Sequence, residues 1–156
     1  MRSAGKATLA LFAIALAGGA GCGADDTQQV SAEQLVALGD AICKQGRQEF
    51  DRVQADAPPT ASAAAEQADE LVQIATDELN ELRRIRPPDA LQDRYEAYLE
   101  ARGKALELLE EGRDAAREKD GKAYGMAQAK AAAEAPQRAK LARRVGFSVC
   151  SQPADG

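Results

Sequence analysis

From residue 31 onward, apolar residues recur every three or four positions, in four stretches separated by proline and glycine turn signals. That is the period of an α-helix with one buried face. The first stretch carries Leu35, Leu38, Ile42, Phe50 and Val53. Ser31 opens it with Gln34 three residues on, a capping box in which each side chain satisfies the other residue's backbone N–H. Gly39 and Gly46 each cost about 1 kcal/mol of helix propensity relative to alanine, so packing must hold this helix together. Ala57-Pro58-Pro59-Thr60 closes it. The second stretch starts near Thr60 or Ser62 and carries Ala64, Ala68, Leu71, Ala75, Leu79, Leu82 and Ile85 on one stripe. Glu66, Asp69, Glu70, Asp77, Glu78 and Glu81 lie mostly off it. Pro87-Pro88 stops this helix, because the residue before a proline is pushed out of the α region.

Asp89, with Gln92 three residues on, predicts the cap of a third helix. Its buried face is expected to carry Leu91, Tyr95, Tyr98, Ala105 and Leu109, with Leu99, Leu106 and Leu108 alongside. Glu100 and Lys104 make a favourable i,i+4 pair. The helix is expected to fade between Ala116 and Lys119, and Asp120-Gly121 forms the next turn. The fourth helix presents Tyr124, Ala127, Ala131, Ala135, Ala142 and Val145 before Gly146 ends it. Pro136 removes the bond to the Ala132 carbonyl, which predicts a kink rather than a break. Short connections force neighbouring helices to run antiparallel. The expected fold is all-α: an up-down-up-down four-helix bundle over residues 31–150 with a kinked last helix. There is no strand alternation and no internal repeat.

What precedes residue 31 has a different pattern. Arg2 and Lys6 are followed by an apolar run from Ala7 to Ala17 and then by Gly18-Gly19-Ala20-Gly21-Cys22. A membrane-spanning helix needs about 20 apolar residues, so a run this short fits the apolar segment of an export signal. The stretch resembles a bacterial lipoprotein signal peptide. That resemblance implies removal of residues 1–21, acylation of Cys22, and a short tether over 22–30 before the bundle. Ala20 and Gly21 match the lipobox, while Gly19 stands where that motif has a branched apolar residue. The alternative is ordinary cleavage after Ala17 or Ala20, which leaves Cys22 a free thiol in a secreted chain. Cysteine parity favours acylation: with Cys22 modified, Cys43 and Cys150 remain as an even pair. The expected location is therefore extracytoplasmic and lipid-anchored to the cell membrane, with secretion as the alternative. The tail 151–156 is expected to be disordered.

Charge follows from this reading. The chain has 20 Lys and Arg against 25 Asp and Glu. Removing Arg2 and Lys6 leaves 18 against 25, a net of −7, which disfavours a nucleic-acid partner. Cys43 and Cys150 are the candidate disulfide, since such bonds persist outside the cytoplasm. The competing reading, a redox pair, calls for close spacing such as Cys-x-x-Cys, which is absent here. Aromatic residues make up only 4% of the chain. Alanine-rich helices bury little area each, at about 25 cal/mol per Å², so a covalent staple is expected to help.

Candidate chemistry is sparse. The chain contains no histidine, which removes the Ser-His-Asp and Cys-His arrangements, the common zinc motifs, and the Glu-x-x-His ligands of di-iron bundles. Glu107, Glu110, Glu111 and Asp114 are the densest carboxylates. They read as a solvated helix face, with weak calcium binding as the alternative. No metal or other cofactor is expected. Tyr95, Tyr98 and Tyr124 could line a groove but read better as core residues with hydroxyls at its rim. The fourth helix is basic, with Lys122, Lys130, Arg138, Lys140, Arg143 and Arg144 against Glu134 alone. The simpler reading is internal pairing with acidic neighbours, at roughly 0–1 kcal/mol per exposed pair. The functional reading makes Lys130, Arg138, Lys140, Arg143 and Arg144 a contact surface for anionic lipid or wall polymer.

The run Arg83-Arg84-Ile85-Arg86-Pro87-Pro88, then Leu91, Tyr95, Tyr98-Leu99 and the ending Gly146-x-x-x-Cys150 resembles a loose group of small helical lipoproteins of high-GC Gram-positive bacteria. The likeness covers most of residues 31–150. It implies a secreted helical bundle with one disulfide and brings no catalytic residue with it. The expected function is a membrane-tethered, non-catalytic binding or interaction module of the cell envelope, whose partner is an envelope protein, anionic lipid or wall polymer. The alternatives are a structural or accessory envelope lipoprotein and, last, a carboxylate-based hydrolase.

Overall fold

A computed structural model describes residues 29–152. The expectations for the signal segment 1–21, for acylation of Cys22, for the tether up to residue 28 and for residues 153–156 lie outside the described residues. The described part is a four-helix bundle. Its helices are α1 (Ala32–Gln54), α2 (Ala61–Arg84), α3 (Gln92–Arg117) and α4 (Gly121–Val145), with a single 3₁₀ turn over Asp89–Leu91 ahead of α3. Among the described residues there is no strand, and no helix is long and apolar enough to cross a membrane.

The helix starts follow the polar signals in the sequence. The Ser31 hydroxyl accepts the Gln34 N–H at 3.2 Å, and the Gln34 side chain accepts the Ser31 N–H at 2.8 Å, completing the capping box. Thr60 caps α2 by accepting the Ala63 N–H at 3.1 Å. Asp120 caps α4, accepting from the N–H groups of Lys122 and Ala123 at 3.0 and 2.9 Å. Asp89 does not cap α3 as its spacing suggested. Its carboxylate accepts from the Gln29 amide at 2.6 Å, and the chain enters α3 through the 3₁₀ turn, which the Leu91 N–H closes onto the Pro88 carbonyl. Pro136 lies inside an unbroken α4. Gly146 then takes the left-handed conformation, φ 109°, that ends a helix at little cost only when the residue is glycine.

Contacts between the helices set the topology. The Val30 N–H donates to the Arg86 carbonyl at 2.9 Å, placing the start of α1 beside the end of α2. The Tyr95 hydroxyl donates to the Leu82 carbonyl at 2.6 Å, and Arg117 pairs with Asp69 at 2.7 Å, so α3 runs back along α2. Lys104–Glu134 at 2.7 Å and Lys130–Glu111 at 2.9 Å set α4 antiparallel to α3. The order is up-down-up-down.

The core lies where α1 and α3 begin and α2 and α4 end. It comprises Leu35, Leu82, Tyr95, Tyr98, Ala142, Val145 and Phe147. The Phe147 ring meets Tyr98 and Tyr95 edge-on, with centroids 5.3 and 6.1 Å apart. Leu38, expected on the packed face of α1, is 47% exposed, and on α3 Leu108 is buried more deeply than Leu109. The reason for the first difference is Gly39. The buried line of α1 runs Leu35, Gly39, Cys43, Gly46, and its two glycines carry no hydropathy signal, so the apolar periodicity points to Leu38 beside them.

Gly39 is where the tail returns. After Gly146 the chain folds back along α1. Asp40 accepts from the N–H groups of Ser148, Val149 and Cys150 at 3.0, 2.9 and 3.2 Å and from the Ser148 hydroxyl at 2.7 Å. Cys150 then reaches Cys43 in a disulfide, with the Cα atoms 5.3 Å apart. Ser151 and Gln152 continue the turn, so the folded part extends two residues beyond the expected boundary at 150. A Cβ on Gly39 would fall into the Phe147 ring, 2.6 Å from Cζ. Gly39→Ala is therefore expected to destabilise the bundle by about 1–3 kcal/mol, although alanine favours helix over glycine. Chemical denaturation checks this, and a stabilised variant would show that the ring gives way freely.

Candidate functional site

Each helix brings one charged residue to the same level of the bundle: Arg47 from α1, Glu78 from α2, Arg102 from α3 and Arg138 from α4. Three of them continue apolar stripes by helical spacing. Glu78 follows Leu71 and Ala75 and precedes Leu82, Arg102 follows Tyr95 and Tyr98, and Arg138 precedes Ala142 and Val145. Glu78 is 8% exposed. It fits because α1 has a glycine opposite it: a Cβ on Gly46 would sit 2.6 Å from Glu78 Oε2.

The layer holds more positive than negative charge. Arg102 Nη2 donates to Glu78 Oε1 at 2.7 Å. Burial still dominates and holds the Glu78 carboxyl above the usual glutamate range, against the opposing pull of Arg102, Arg138 and Arg47. Arg47 donates to the Val149 carbonyl at 2.9 Å, which ties the returning tail to the layer. Arg102 Nε is buried with no hydrogen-bond acceptor. Arg138 is half-buried, and among the described residues it forms neither an ion pair nor a hydrogen bond. Its guanidinium is held below its ordinary pKa by desolvation and then by the neighbouring Arg102.

These groups line a cavity of about 200 Å³ between the four helices and the tail, with the Cys43–Cys150 disulfide at its edge. Its other walls are Phe50, Ala75, Ala105, Leu106, Leu109 and Ala131. In an up-down-up-down bundle all six lie on the same side of the charged layer, displaced by three to seven residues. At 1.5 Å per residue they rise about 5–10 Å above it. The cavity thus has a cationic floor and apolar walls. Asp51, Gln54 and Gln152 add polar groups to the lining.

Sequence reasoning missed Glu78, Arg102 and Arg47 as site residues. For Glu78 and Arg102 the signal was present: a charged residue at a stripe position costs stability unless it is paired or used. Arg138, expected in a basic contact surface of α4, is half-buried and lines the cavity. Lys130 is bonded to Glu111, Lys140 and Arg144 are exposed, and exposed Arg143 reaches the Ser151 carbonyl at 3.5 Å. The Lys130–Glu111 pair matches the internal lacing anticipated between basic α4 and its acidic neighbour, whereas Lys104–Glu134 runs the other way, from a base of α3 to the acid of α4.

Tyr95 and Tyr98 are fully buried, and Tyr124 is 39% exposed. The Tyr98 hydroxyl donates to the Cys43 sulfur at 3.5 Å, since a disulfide sulfur has no proton to give. Burial pushes the Tyr98 phenol up to about 12 and raises Tyr95 as well, so neither serves as a base near neutrality. On the acidic face of α3, Glu111 is held by Lys130 and Asp114 by Arg113 at 2.9 Å. Among the described residues no three Cys, Asp or Glu side chains are arranged to hold a metal ion. No protein-family model, curated protein or solved structure matches the chain.

Proposed function

We propose that the protein is an extracytoplasmic lipoprotein, tethered through Cys22, whose bundle is a non-catalytic binding module of the cell envelope. The observation that carries the binding half of this reading is the cavity with Arg138, which has no ion-pair or hydrogen-bond partner among the described residues. A scaffold with no ligand gains nothing from a desolvated cation beside another cation. The anchored half rests on the N-terminal pattern and on the pairing of Cys43 with Cys150, which leaves Cys22 as the odd cysteine. The module is read as non-catalytic because Glu78, the buried carboxylate of the cavity, is committed to Arg102.

The test is native mass spectrometry of the full chain, expressed in a host that processes lipoproteins and extracted from its membrane in mild detergent. The expected species begins at an acylated Cys22 and carries a bound small molecule. An unmodified N-terminus starting elsewhere would overturn the anchor. A fully acylated chain that carries nothing, and crosslinks to nothing in its membrane, would overturn the binding role.

A further inference from the structure

The charged layer makes a definite demand on whatever fills the cavity. The guanidinium groups of Arg102 and Arg138 face one buried carboxylate, Glu78, which Arg102 Nη2 engages, while the other carboxylate of the lining, Asp51, is exposed. The second donor edge of Arg102, at Nε, is buried and unused. Arg138 has no hydrogen-bond or ion-pair partner among the described residues. Guanidinium stays charged at any physiological pH, so this region cannot relieve itself by losing a proton. What it lacks is an acceptor with negative charge. Planar, bidentate acceptors suit a guanidinium fork best, which favours a carboxylate or a phosphate.

The walls decide between a bare anion and a larger molecule. Phe50, Leu106 and Leu109 rise from the charged floor with no polar group of their own, and a fully hydrated inorganic ion would leave them in contact with water. Apolar cavities of about 150 Å³ accept a benzene ring. At about 200 Å³ this one has room for a single ring or a chain of roughly six to eight carbons.

We propose that the cavity binds a small amphipathic carboxylate, its carboxylate held by Arg138 beside Arg102 and its apolar body lying among Phe50, Leu106 and Leu109. This deepens the binding-module reading and rests on it. Glu78 competes with the ligand for Arg102 and thereby limits affinity. The disulfide and Arg47 hold the tail, which walls the site beside α1.

Titration calorimetry on the purified full chain tests the proposal, with octanoate and benzoate as probes. Octanol and inorganic phosphate serve as controls for the apolar body and the charge alone. Octanoate or benzoate is expected to bind, with both controls at least about 10-fold weaker, since hydrogen bonds to charged groups are worth roughly that factor or more. Arg138→Gln should weaken octanoate by about 10- to 100-fold while leaving the melting temperature of the ligand-free protein unchanged or raised, because it removes a half-buried cation that has no hydrogen-bond or ion-pair partner among the described residues. Glu78→Gln should tighten octanoate several-fold by freeing Arg102. Octanol binding as tightly as octanoate, phosphate binding as tightly as either acid, or octanoate binding undiminished in Arg138→Gln would each overturn the assignment. Failure of both acids while natively extracted protein carries another molecule would sink the carboxylate and spare the binding role. Failure of both, with nothing carried natively, would sink both.

Discussion

Arg102→Leu is expected to cost the bundle about 3–5 kcal/mol at neutral pH, the penalty for leaving a buried carboxylate without its ion-pair partner. Glu78 is 8% exposed and its pair with Arg102 is 2.7 Å long, so little water is at hand to replace the lost guanidinium. Replacing both residues with leucine should restore much of the loss, because a buried pair and a well-packed apolar pair of similar volume are often close in free energy. The cost should also depend on pH, and the sign follows from Glu78. Its folded-state pKa is already raised by burial above the ordinary value of 4.5, and losing Arg102 raises it further. Between the unfolded and folded values, the native state keeps a proton that the unfolded chain releases. Stability therefore falls as pH rises through that window and stays low above it. In Arg102→Leu the window is wider and the fall larger. Urea midpoints of wild type and variant should diverge from about pH 4.5 towards pH 7. A difference that is small and flat across that range would show that Arg138 and Arg47 compensate Glu78 without Arg102.

Converting Cys43 and Cys150 to alanine should destabilise the protein by about 2–4 kcal/mol, less than the nearly 5 kcal/mol of the chain-entropy treatment for a loop of about 100 residues. The bond closes a sequence separation of 107 residues, but the tail has other holds. Phe147 sits in the core against Tyr95 and Tyr98, and the Asp40 carboxylate accepts three tail N–H groups. The double variant should therefore keep the bundle while the tail frays from its end. In hydrogen exchange, the Val149 and Cys150 amides should lose protection before those of Leu82 or Tyr98. Urea denaturation gives the size of the effect. A loss under about 1 kcal/mol, with those two amides still protected, would mean that Asp40 and Phe147 close the bundle unaided.

The helical period and the caps were legible because both are local. Ser31 with Gln34, Thr60, Asp120 and Gly146 each act within four residues of themselves, and each stands where its chemistry placed it. Asp89 misled because its carboxylate found a partner 60 positions away, in Gln29, and no window of a helix's length reports that. The disulfide was legible through parity and spacing. The route by which Cys150 reaches Cys43 was not, since it depends on Gly39 leaving room for Phe147 and on Asp40 gathering the tail's backbone N–H groups.

The amino-acid sequence by itself determined four helices, their order and their antiparallel sense, because amphipathic spacing and turn residues act over a few positions and short connections leave few ways to fold. Only the tertiary structure decided which charges are inside. Glu78 reads as one more acidic residue of α2 until Gly46, 32 positions earlier, is laid against it. Arg138 reads as one more base of α4 until Arg102 is found beside it. Burial of a charge is settled by the space and partners that other helices supply, and those are pairings of distant residues that no periodicity along a single helix encodes.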